Sequence, residues 1–387
     1  MKRIYLDNAA TSFPKPDCVW AAVKDYNRRL GSAVGRGAYR AGIDATALVE
    51  RCRKRVAGLL RAESPDRIVF TFNGTDSLNL ALHGALRAGD HVVTSVMEHN
   101  SVLRPLSELR RRMGIEVSHV PADAGGLVDP AGIRRALRPN TRLIALVHAS
   151  NVTGAIQPIA EAGRIARESG ALFLIDAAQS AGSIPIDLSL LPVDLLACPG
   201  HKGLLGPLGT GILYIRPGVD ENLASLRQGG TGTQSEQDVQ PEALPEKYES
   251  GNHNAPGLVG LEASVGWLLE RGVEQVHRHE QALVEQLLES LSAIPSIRLF
   301  GAKTERDRVG VVSLAVDGFE PQDVAAILDQ NFGVEVRAGL HCAPLAHRAI
   351  GSFSGGGTVR LSVGPFTTSS DIEAAAAALR QITESTI

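Results

Sequence analysis

Residues 197–207 read ACPGHKGLLGP, and the rest of the chain is organised around them. One lysine, Lys202, lies there in a turn rich in glycine. The apolar residues 193–197 before it predict a short buried strand. Lysine is rarely buried without a partner, and a desolvated lysine traps carbonyl compounds because its pKa falls. A single lysine after a strand is more often an ordinary loop residue, so its role depends on what else surrounds it.

A lone acid upstream gives Lys202 a chemical partner. Asp176 ends another apolar strand, 26 residues before the lysine. Pyridoxal phosphate needs a lysine for its Schiff base and an acid facing its pyridine nitrogen. The acid keeps that nitrogen protonated, so that the ring acts as an electron sink. The two residues together therefore predict a pyridoxal phosphate site.

Length and composition are those of an ordinary globular protein. The chain has 387 residues, is 44% hydrophobic and carries a net charge of -3. This charge and an aromatic content of 4% argue against nucleic acid and anionic membrane partners. No apolar stretch approaches the roughly 18 residues of a membrane span. Because Asp7 interrupts the N-terminus before any apolar run, we expect no signal peptide and a cytoplasmic location.

The four cysteines are far apart and form no CxxC pair. We therefore expect four free thiols, with neither a metal site nor a disulfide framework. Cys18 and Cys52 fall on predicted helices among apolar neighbours, which favours structural roles. Cys198 ends a predicted buried strand. Cys342 follows a histidine in a loop, where a neighbouring arginine can lower a thiol's pKa and make it nucleophilic. An idle packed cysteine is the alternative.

Strands and helices alternate through the first two thirds of the chain. Near-continuous apolar strands between helices indicate a mostly parallel sheet covered on both faces. Polar residues repeatedly follow the strands at their carboxyl ends, the edge where ligands bind in open α/β sheets: Thr75, His99, Asn151, Asp176 and Lys202. After Gly74, the order strand, turn and helix is typical of a phosphate held at a helix N-terminus, although many such turns carry glycine only for packing.

Two arginines are candidates for a substrate carboxylate, which guanidinium binds through two parallel hydrogen bonds. Arg337 lies in the same loop region as Cys342. Arg360 lies in a strand-like run, where a charge needs a partner, and is the favoured candidate.

The motifs together resemble those of the class V aminotransferase-type, fold-type I pyridoxal phosphate enzymes, and within them the cysteine desulfurases. They are GTDSLN at 74–79, EHNS at 98–101, SNVTG at 150–154, DAAQS at 176–180, GHK at 200–202 and RAGLHCA at 337–343. The last is similar to the short cysteine-bearing loop of SUF-system desulfurases and selenocysteine lyases. The resemblance implies an α/β fold with a mostly parallel seven-stranded sheet in a large domain (15–256) and a small α+β domain (1–14 and 257–387).

The resemblance also implies residue roles. Lys202 would form the Schiff base, Asp176 would pair with the pyridine nitrogen, and His99 would stack on the ring. Further cofactor contacts would come from Asn151 and Gln179 at the ring's 3-oxygen and from Gly74, Thr75, Asp76 and His201 around the phosphate. Substrate would be bound by Arg360, Arg337 and Asn8, and sulfur accepted by Cys342.

The implied reaction converts L-cysteine to L-alanine, with Lys202, His99 and Cys342 in catalysis and a persulfide on Cys342. The implied partners are L-cysteine or L-selenocysteine, an unidentified sulfur acceptor and a second copy in a homodimer. The acceptor could be an iron–sulfur scaffold, a tRNA-thiolation partner or a biosynthetic sulfur carrier. The alternatives are a selenocysteine lyase, C–S lyase or aminotransferase of the same class and, more distantly, a non-catalytic pyridoxal phosphate or sulfur-relay protein.

Two positions depart from the family pattern. Pro199 stands where the family often has Ser or Thr as a phosphate ligand, and it offers neither a hydroxyl nor an N–H. Asn252 follows Gly251 where related enzymes have a threonine that reaches the neighbouring subunit's phosphate. We therefore expect details of phosphate binding to differ here.

Overall fold

A computed structural model describes residues 3–35, 37–302, 304 and 307–384. The helices are α1 (Asp17–Arg29), α2 (Arg40–Leu60), α3 (Gly74–Ala85), α4 (Asn100–Met113), α5 (Pro130–Ala136), α6 (Ile159–Ser169), α7 (Ala255–Arg271), α8 (Val273–Ser292), α9 (Pro321–Phe332), α10 (Pro344–Ala349) and α11 (Ser369–Glu384). The strands are β1 (Ile4–Tyr5), β2 (Ile68–Thr71), β3 (His91–Ser95), β4 (Glu116–Val120), β5 (Thr141–Val147), β6 (Leu172–Asp176), β7 (Leu195–Pro199), β8 (Gly211–Ile215), β9 (Ile297–Phe300), β10 (Val311–Val316), β11 (Val334–Glu335), β12 (Arg337–Gly339) and β13 (Thr358–Ser362).

Seven strands form the large sheet, in the order β2-β8-β7-β6-β5-β3-β4. Strand β8 is antiparallel to both of its neighbours, and the other paired strands run parallel. Apolar cores lie on both faces, which explains why the central strands read as near-continuous apolar runs. The predicted α/β fold with a large, mostly parallel sheet is confirmed.

A second core lies around a four-stranded antiparallel sheet, in the order β12-β13-β10-β9. Helices α8, α9 and α11 contribute Leu287, Leu328 and Leu379 to it, all fully buried. Strand β1 pairs in parallel with β11, joining the N-terminus to this second core. The last third of the chain thus has the α+β character that its short strands predict.

The boundary between the two predicted domains is less simple. Helix α7 contributes Leu258, Leu261 and Val265 to the core beneath the large sheet. This packing favours a boundary later than residue 256, and the domain division itself stays a prediction. Residues 1, 2, 36, 303, 305, 306 and 385–387 of that division lie outside the described residues.

Helix α3 begins at Gly74, because Asn73 caps it by accepting from the N–H of Asp76. One expectation about the cysteines is corrected. Cys18 is exposed rather than packed among apolar neighbours, and its Sγ lies 3.7 Å from the carbonyl oxygen of Ala263, whereas Cys52 and Cys198 are buried as expected. None of the helices in the described residues is long and apolar enough to cross a membrane.

Candidate active site

A cavity of about 400 Å³ opens at the carboxyl ends of the central strands. We call it the strand-end cavity; its lining includes every predicted cofactor-binding residue except Asp76, namely Gly74, Thr75, His99, Asn151, Asp176, Gln179, His201 and Lys202. They converge because β3, β5, β6 and β7 are neighbours whose parallel strands end at one edge. Its volume is in the range of small-molecule sites.

The turn that carries Lys202 is held by backbone contacts. A Cβ on Gly203 would lie 2.4 Å from the carbonyl oxygen of Ala181, so no other residue fits there without rearrangement. The carbonyl oxygen of His201 receives four donors: Ser12 N at 3.0 Å, Thr11 Oγ1 and Ser12 Oγ at 3.1 Å, and Lys15 Nζ at 3.3 Å. The N-terminal segment therefore fixes the backbone directly before Lys202.

The charges of the cavity favour a reactive lysine. Desolvation lowers the pKa of Lys202 to about 8, and the nearby carboxylate of Asp176 partly opposes this shift. Asp176 is 3% exposed, and its burial raises its own pKa, against a hydrogen bond from the Ala178 N–H to Oδ1 at 2.9 Å. A Schiff base requires an amine whose pKa is close to neutral pH. A pyridinium requires a nearby carboxylate, and a buried carboxylate is stabilised by such a cationic partner.

At another part of the cavity lining, the first turn of α3 meets the end of β7. A Cβ on Gly74 would lie 3.0 Å from Cδ of Pro199, so glycine permits this close approach. The start of a helix favours an anion, which agrees with a phosphate end. Asp76 points elsewhere: it accepts two hydrogen bonds from Arg227 Nη1, at 3.0 and 2.9 Å, and one from the Phe72 N–H.

His99 lines the same cavity. Desolvation, aided by the charge of Lys202, lowers the pKa of His99 to about 4, so its ring is neutral. The ring's Nδ1 lies 2.8 Å from Oγ of Ser101, a cavity residue that the sequence analysis missed. Its position two residues after a predicted ring-stacking histidine was the available signal.

The two amides at the cavity wall also have protein partners. Gln179 Nε2 donates to the carbonyl oxygen of Ala9 at 3.0 Å. Asn151 Nδ2 donates to the carbonyl oxygen of His341 at 2.6 Å, while its Oδ1 is buried and has no partner among the described residues. Each amide keeps one group for a ligand.

The predicted substrate-binding residues are dispersed around this wall. Arg360 is 1% exposed; it donates to Oδ1 of Asp7 at 2.7 Å and to the backbone oxygen of Asn151 at 3.1 Å. The partnership with Asp7 was also missed by sequence reasoning. Arg337 of β12 lies opposite Arg360 of β13 in the register of these two antiparallel strands. The Asn8 amide is engaged by Ser362 O at 3.1 Å and by the Phe13 N–H at 3.2 Å.

Cys342 is exposed, next to the cavity wall, in a loop with an uncommon backbone. His341 and Cys342 both have left-handed conformations, with φ of 46° and 59°, which cost roughly 1–3 kcal/mol each when the residue is not glycine. Both carbonyls are held, that of His341 by Asn151 and that of Cys342 by the N–H of Asn100 at 2.7 Å. Arg337 Nη2 lies 3.7 Å from the Cys342 sulfur.

The residues present fit pyridoxal phosphate. Lysine, buried acid, flanking histidine and a helix start line one cavity, and two buried atoms in it, Asn151 Oδ1 and His201 Nδ1, lack protein partners within the described chain. Among the residues that the structure describes, no group of His, Cys, Asp and Glu side chains has the arrangement of a metal site.

Comparison with known proteins agrees with this site. The aminotransferase class-V family model matches residues 4–375. A probable cysteine desulfurase from Methanothermobacter thermautotrophicus is 39% identical over 383 residues, which cover 98% of this chain and 94% of that protein. A cysteine desulfurase from Escherichia coli is 33% identical over 347 residues, 88% of this chain and 84% of the relative.

Solved structures give the same result. The apo structure of a cysteine desulfurase from Thermococcus onnurineus superposes with a TM-score of 0.92 at 34% identity, covering 99% of this chain and 95% of that one. A second, from Escherichia coli, has a TM-score of 0.88 at 29% identity and covers 99% and 95% of the two chains. The chain therefore belongs to the class V aminotransferase family, among its pyridoxal phosphate-dependent cysteine desulfurases.

Proposed function

We propose that this protein converts L-cysteine to L-alanine and receives the substrate's sulfur on Cys342 as a persulfide. The observation that carries the proposal is the attachment of the Cys342 loop to the strand-end cavity. Asn151, in the cavity wall, donates to the carbonyl oxygen directly before Cys342, and Asn100, next to His99, donates to that of Cys342 itself. An exposed thiol is thereby held at the edge of a buried, amine-bearing cavity.

The cofactor-binding residues predicted from the sequence have the following roles in this proposal. Lys202 anchors the cofactor and later carries protons at Nζ, for which a pKa of about 8 is suited. Asp176 holds the proton of the pyridine nitrogen, His99 flanks the ring, and the first turn of α3 binds the phosphate. Pyridoxal phosphate, when bound, supplies an electron sink for the substrate's α-carbon.

Substrate binding and sulfur transfer follow from the groups around the wall. Arg360 binds the substrate carboxylate, with Arg337 beside it. The Cys342 thiolate attacks the sulfur of L-cysteine, so a sulfur–sulfur bond forms while the substrate's carbon–sulfur bond breaks. The electron pair of the broken bond stays with the carbon, which gains a proton and becomes the methyl group of alanine. Sulfur is oxidised to the persulfide level and carbon is reduced.

We also propose a cytoplasmic homodimer that supplies sulfur for iron–sulfur cluster assembly. The four unbridged cysteines support a reducing compartment. Large apolar side chains exposed on and near α1 and α2, such as Trp20 (54% exposed) and Ile43 (55%), support a shared interface. Asn8 and Asp76 remain predicted site residues whose side chains are occupied within the chain, so they contribute indirectly.

The test is a Cys342→Ala variant supplied with L-cysteine. We expect it to keep the cofactor's visible absorbance and lose sulfide formation by roughly a hundredfold, since the nucleophile is gone. Cys18→Ala is the matched control, because Cys18 is the other exposed cysteine of the described chain. Sulfide formation at the wild-type rate in the Cys342 variant would contradict the persulfide route. An amino-acid panel assayed for alanine, sulfide, selenide and keto acids separates the desulfurase from its lyase and aminotransferase alternatives.

A further inference from the structure

Ser101, the second residue of α4, has no role in the function proposed above. It is 7% exposed and lines the strand-end cavity. Its hydroxyl oxygen lies 2.7 Å from Thr75 Oγ1 and 2.8 Å from His99 Nδ1. One hydroxyl therefore contacts both the phosphate end and the ring end of the cavity.

The direction of these hydrogen bonds follows from the histidine. The backbone N–H of Ser101 donates to His99 Nδ1 at 3.0 Å, so Nδ1 carries a lone pair and the ring's proton lies on Nε2. Since Nδ1 can only accept, the hydroxyl of Ser101 donates to it in the arrangement that makes the 2.8 Å contact a hydrogen bond, and the hydroxyl of Thr75 then donates to Ser101 at 2.7 Å. In this arrangement the single proton of Thr75 is turned away from an anion in the cavity.

An anion at the phosphate end reverses that arrangement. Thr75 is exposed at the opening of the cavity. When its hydroxyl turns to donate to the anion, its oxygen either accepts a hydrogen bond from Ser101 or loses its hydrogen bond with Ser101. Ser101 can supply that proton by rotating from Nδ1 to Thr75 Oγ1. His99 keeps its tautomer meanwhile, because the backbone N–H of Ser101 still donates to Nδ1.

Within the part of this chain that the structure describes, no other hydroxyl of the cavity lining can replace this one. Among the described residues that line the strand-end cavity, only Thr75 and Ser101 carry hydroxyl groups. Pro199, which faces Gly74 at the same end, offers neither a hydroxyl nor an N–H. Phosphate recognition by side-chain hydroxyls therefore depends on the pair.

We propose that Ser101 is a positioning residue for the cofactor, whose hydroxyl supports Thr75 when Thr75 donates to the phosphate. The proposal rests on the proposed function, in which Thr75 and the start of α3 bind that phosphate. It assigns to Ser101 an effect on the phosphate and little effect on the ring.

The experiment titrates apoprotein with pyridoxal phosphate and, separately, with pyridoxal, following absorbance to obtain dissociation constants. Ser101→Ala is expected to weaken pyridoxal phosphate binding by about tenfold, since it removes one buried hydrogen bond, and to change pyridoxal binding by less than about twofold. Ser107→Ala, an exposed serine on the same helix, is the matched control and should change neither constant.

A double variant tests whether Ser101 acts through Thr75. Because the two hydroxyls work as a pair, Ser101→Ala combined with Thr75→Val should weaken phosphate binding no more than Thr75→Val alone. Three outcomes would each overturn the role of Ser101. The losses of the two single variants could multiply in the double variant, Ser101→Ala could weaken pyridoxal binding as much as pyridoxal phosphate binding, or Ser101→Ala could leave pyridoxal phosphate binding unchanged. Wild-type protein that binds no pyridoxal phosphate would overturn the proposed function as well, so the two failures are distinguishable. If Ser101→Ala does not fold, Thr75→Val alone still tests the pair, because Thr75 is exposed. The two dissociation constants, for pyridoxal phosphate and for pyridoxal, can then be compared in that variant.

Discussion

Lys202 and Cys342 are the two reactive side chains of the proposed mechanism, and they are held in opposite environments. Lys202 follows a strand of the large sheet in a turn fixed by four donors to one carbonyl, and desolvation lowers its pKa. Cys342 is exposed and follows β12 of the small sheet, and both it and His341 have left-handed backbone conformations. Carbon chemistry needs a dry, neutral amine, whereas a sulfur carrier must be reached by an acceptor.

The two environments are joined by a short chain of contacts. Arg360 donates to the backbone oxygen of Asn151, and the Asn151 side chain donates to the carbonyl oxygen of His341, beside the thiol. A substrate held by Arg360 would thus lie between the amine and the sulfur acceptor. The difference between the two sites shows that residues of one cavity wall can support both the carbon chemistry at buried Lys202 and the sulfur transfer at exposed Cys342.

The largest effect is expected from Lys202→Ala. Without the amine, sulfide and alanine formation should fall by roughly a thousandfold or more, because both the covalent anchor and the proton carrier are lost. Borohydride treatment of the wild-type holoenzyme should attach the cofactor irreversibly to the protein, and mass spectrometry should find it on Lys202. A reduced cofactor still attached to the variant would show that another lysine is the anchor.

A smaller, graded effect is expected from pH. Only the neutral amine captures the cofactor, and desolvation places the pKa of Lys202 at about 8 instead of 10.5. The rate at which apoprotein captures pyridoxal phosphate should therefore rise with pH, by about tenfold per unit well below pH 8, and level off above it. Stopped-flow absorbance measures this rate, with Lys202→Ala as the blank. A capture rate that keeps rising up to pH 10 would mean that the lysine is solvated.

Much of the large-sheet site follows from sequence because parallel strands end at a common edge. Apolar runs locate β5, β6 and β7, so the polar residues after them must converge, as Asn151, Asp176 and Lys202 do. Family motifs add roles that periodicity cannot supply. The amine and the acid were therefore predictable from local patterns.

Contacts between distant segments were not predictable in this way. Asp7 and Arg360 meet although 353 residues separate them, and no local pattern links them. The exposure of Cys18 and the turn of Asp76 toward Arg227 depend on which side of a helix faces the core. The bridge from Ser101 to Thr75 depends on how α3 and α4 begin side by side, which becomes visible only when the strands are paired.

The persulfide itself separates the roles of the two reactive residues. Holoenzyme mixed with one equivalent of L-cysteine, without an acceptor, should gain the mass of one sulfur atom, and peptide mapping should place it on Cys342. The gain should be absent from Lys202→Ala, which has the thiol but not the amine, and from Cys342→Ala, which has the amine but not the thiol. Alanine release by the wild-type enzyme with no sulfur added to Cys342 would contradict this division of the reaction between a buried lysine and an exposed cysteine.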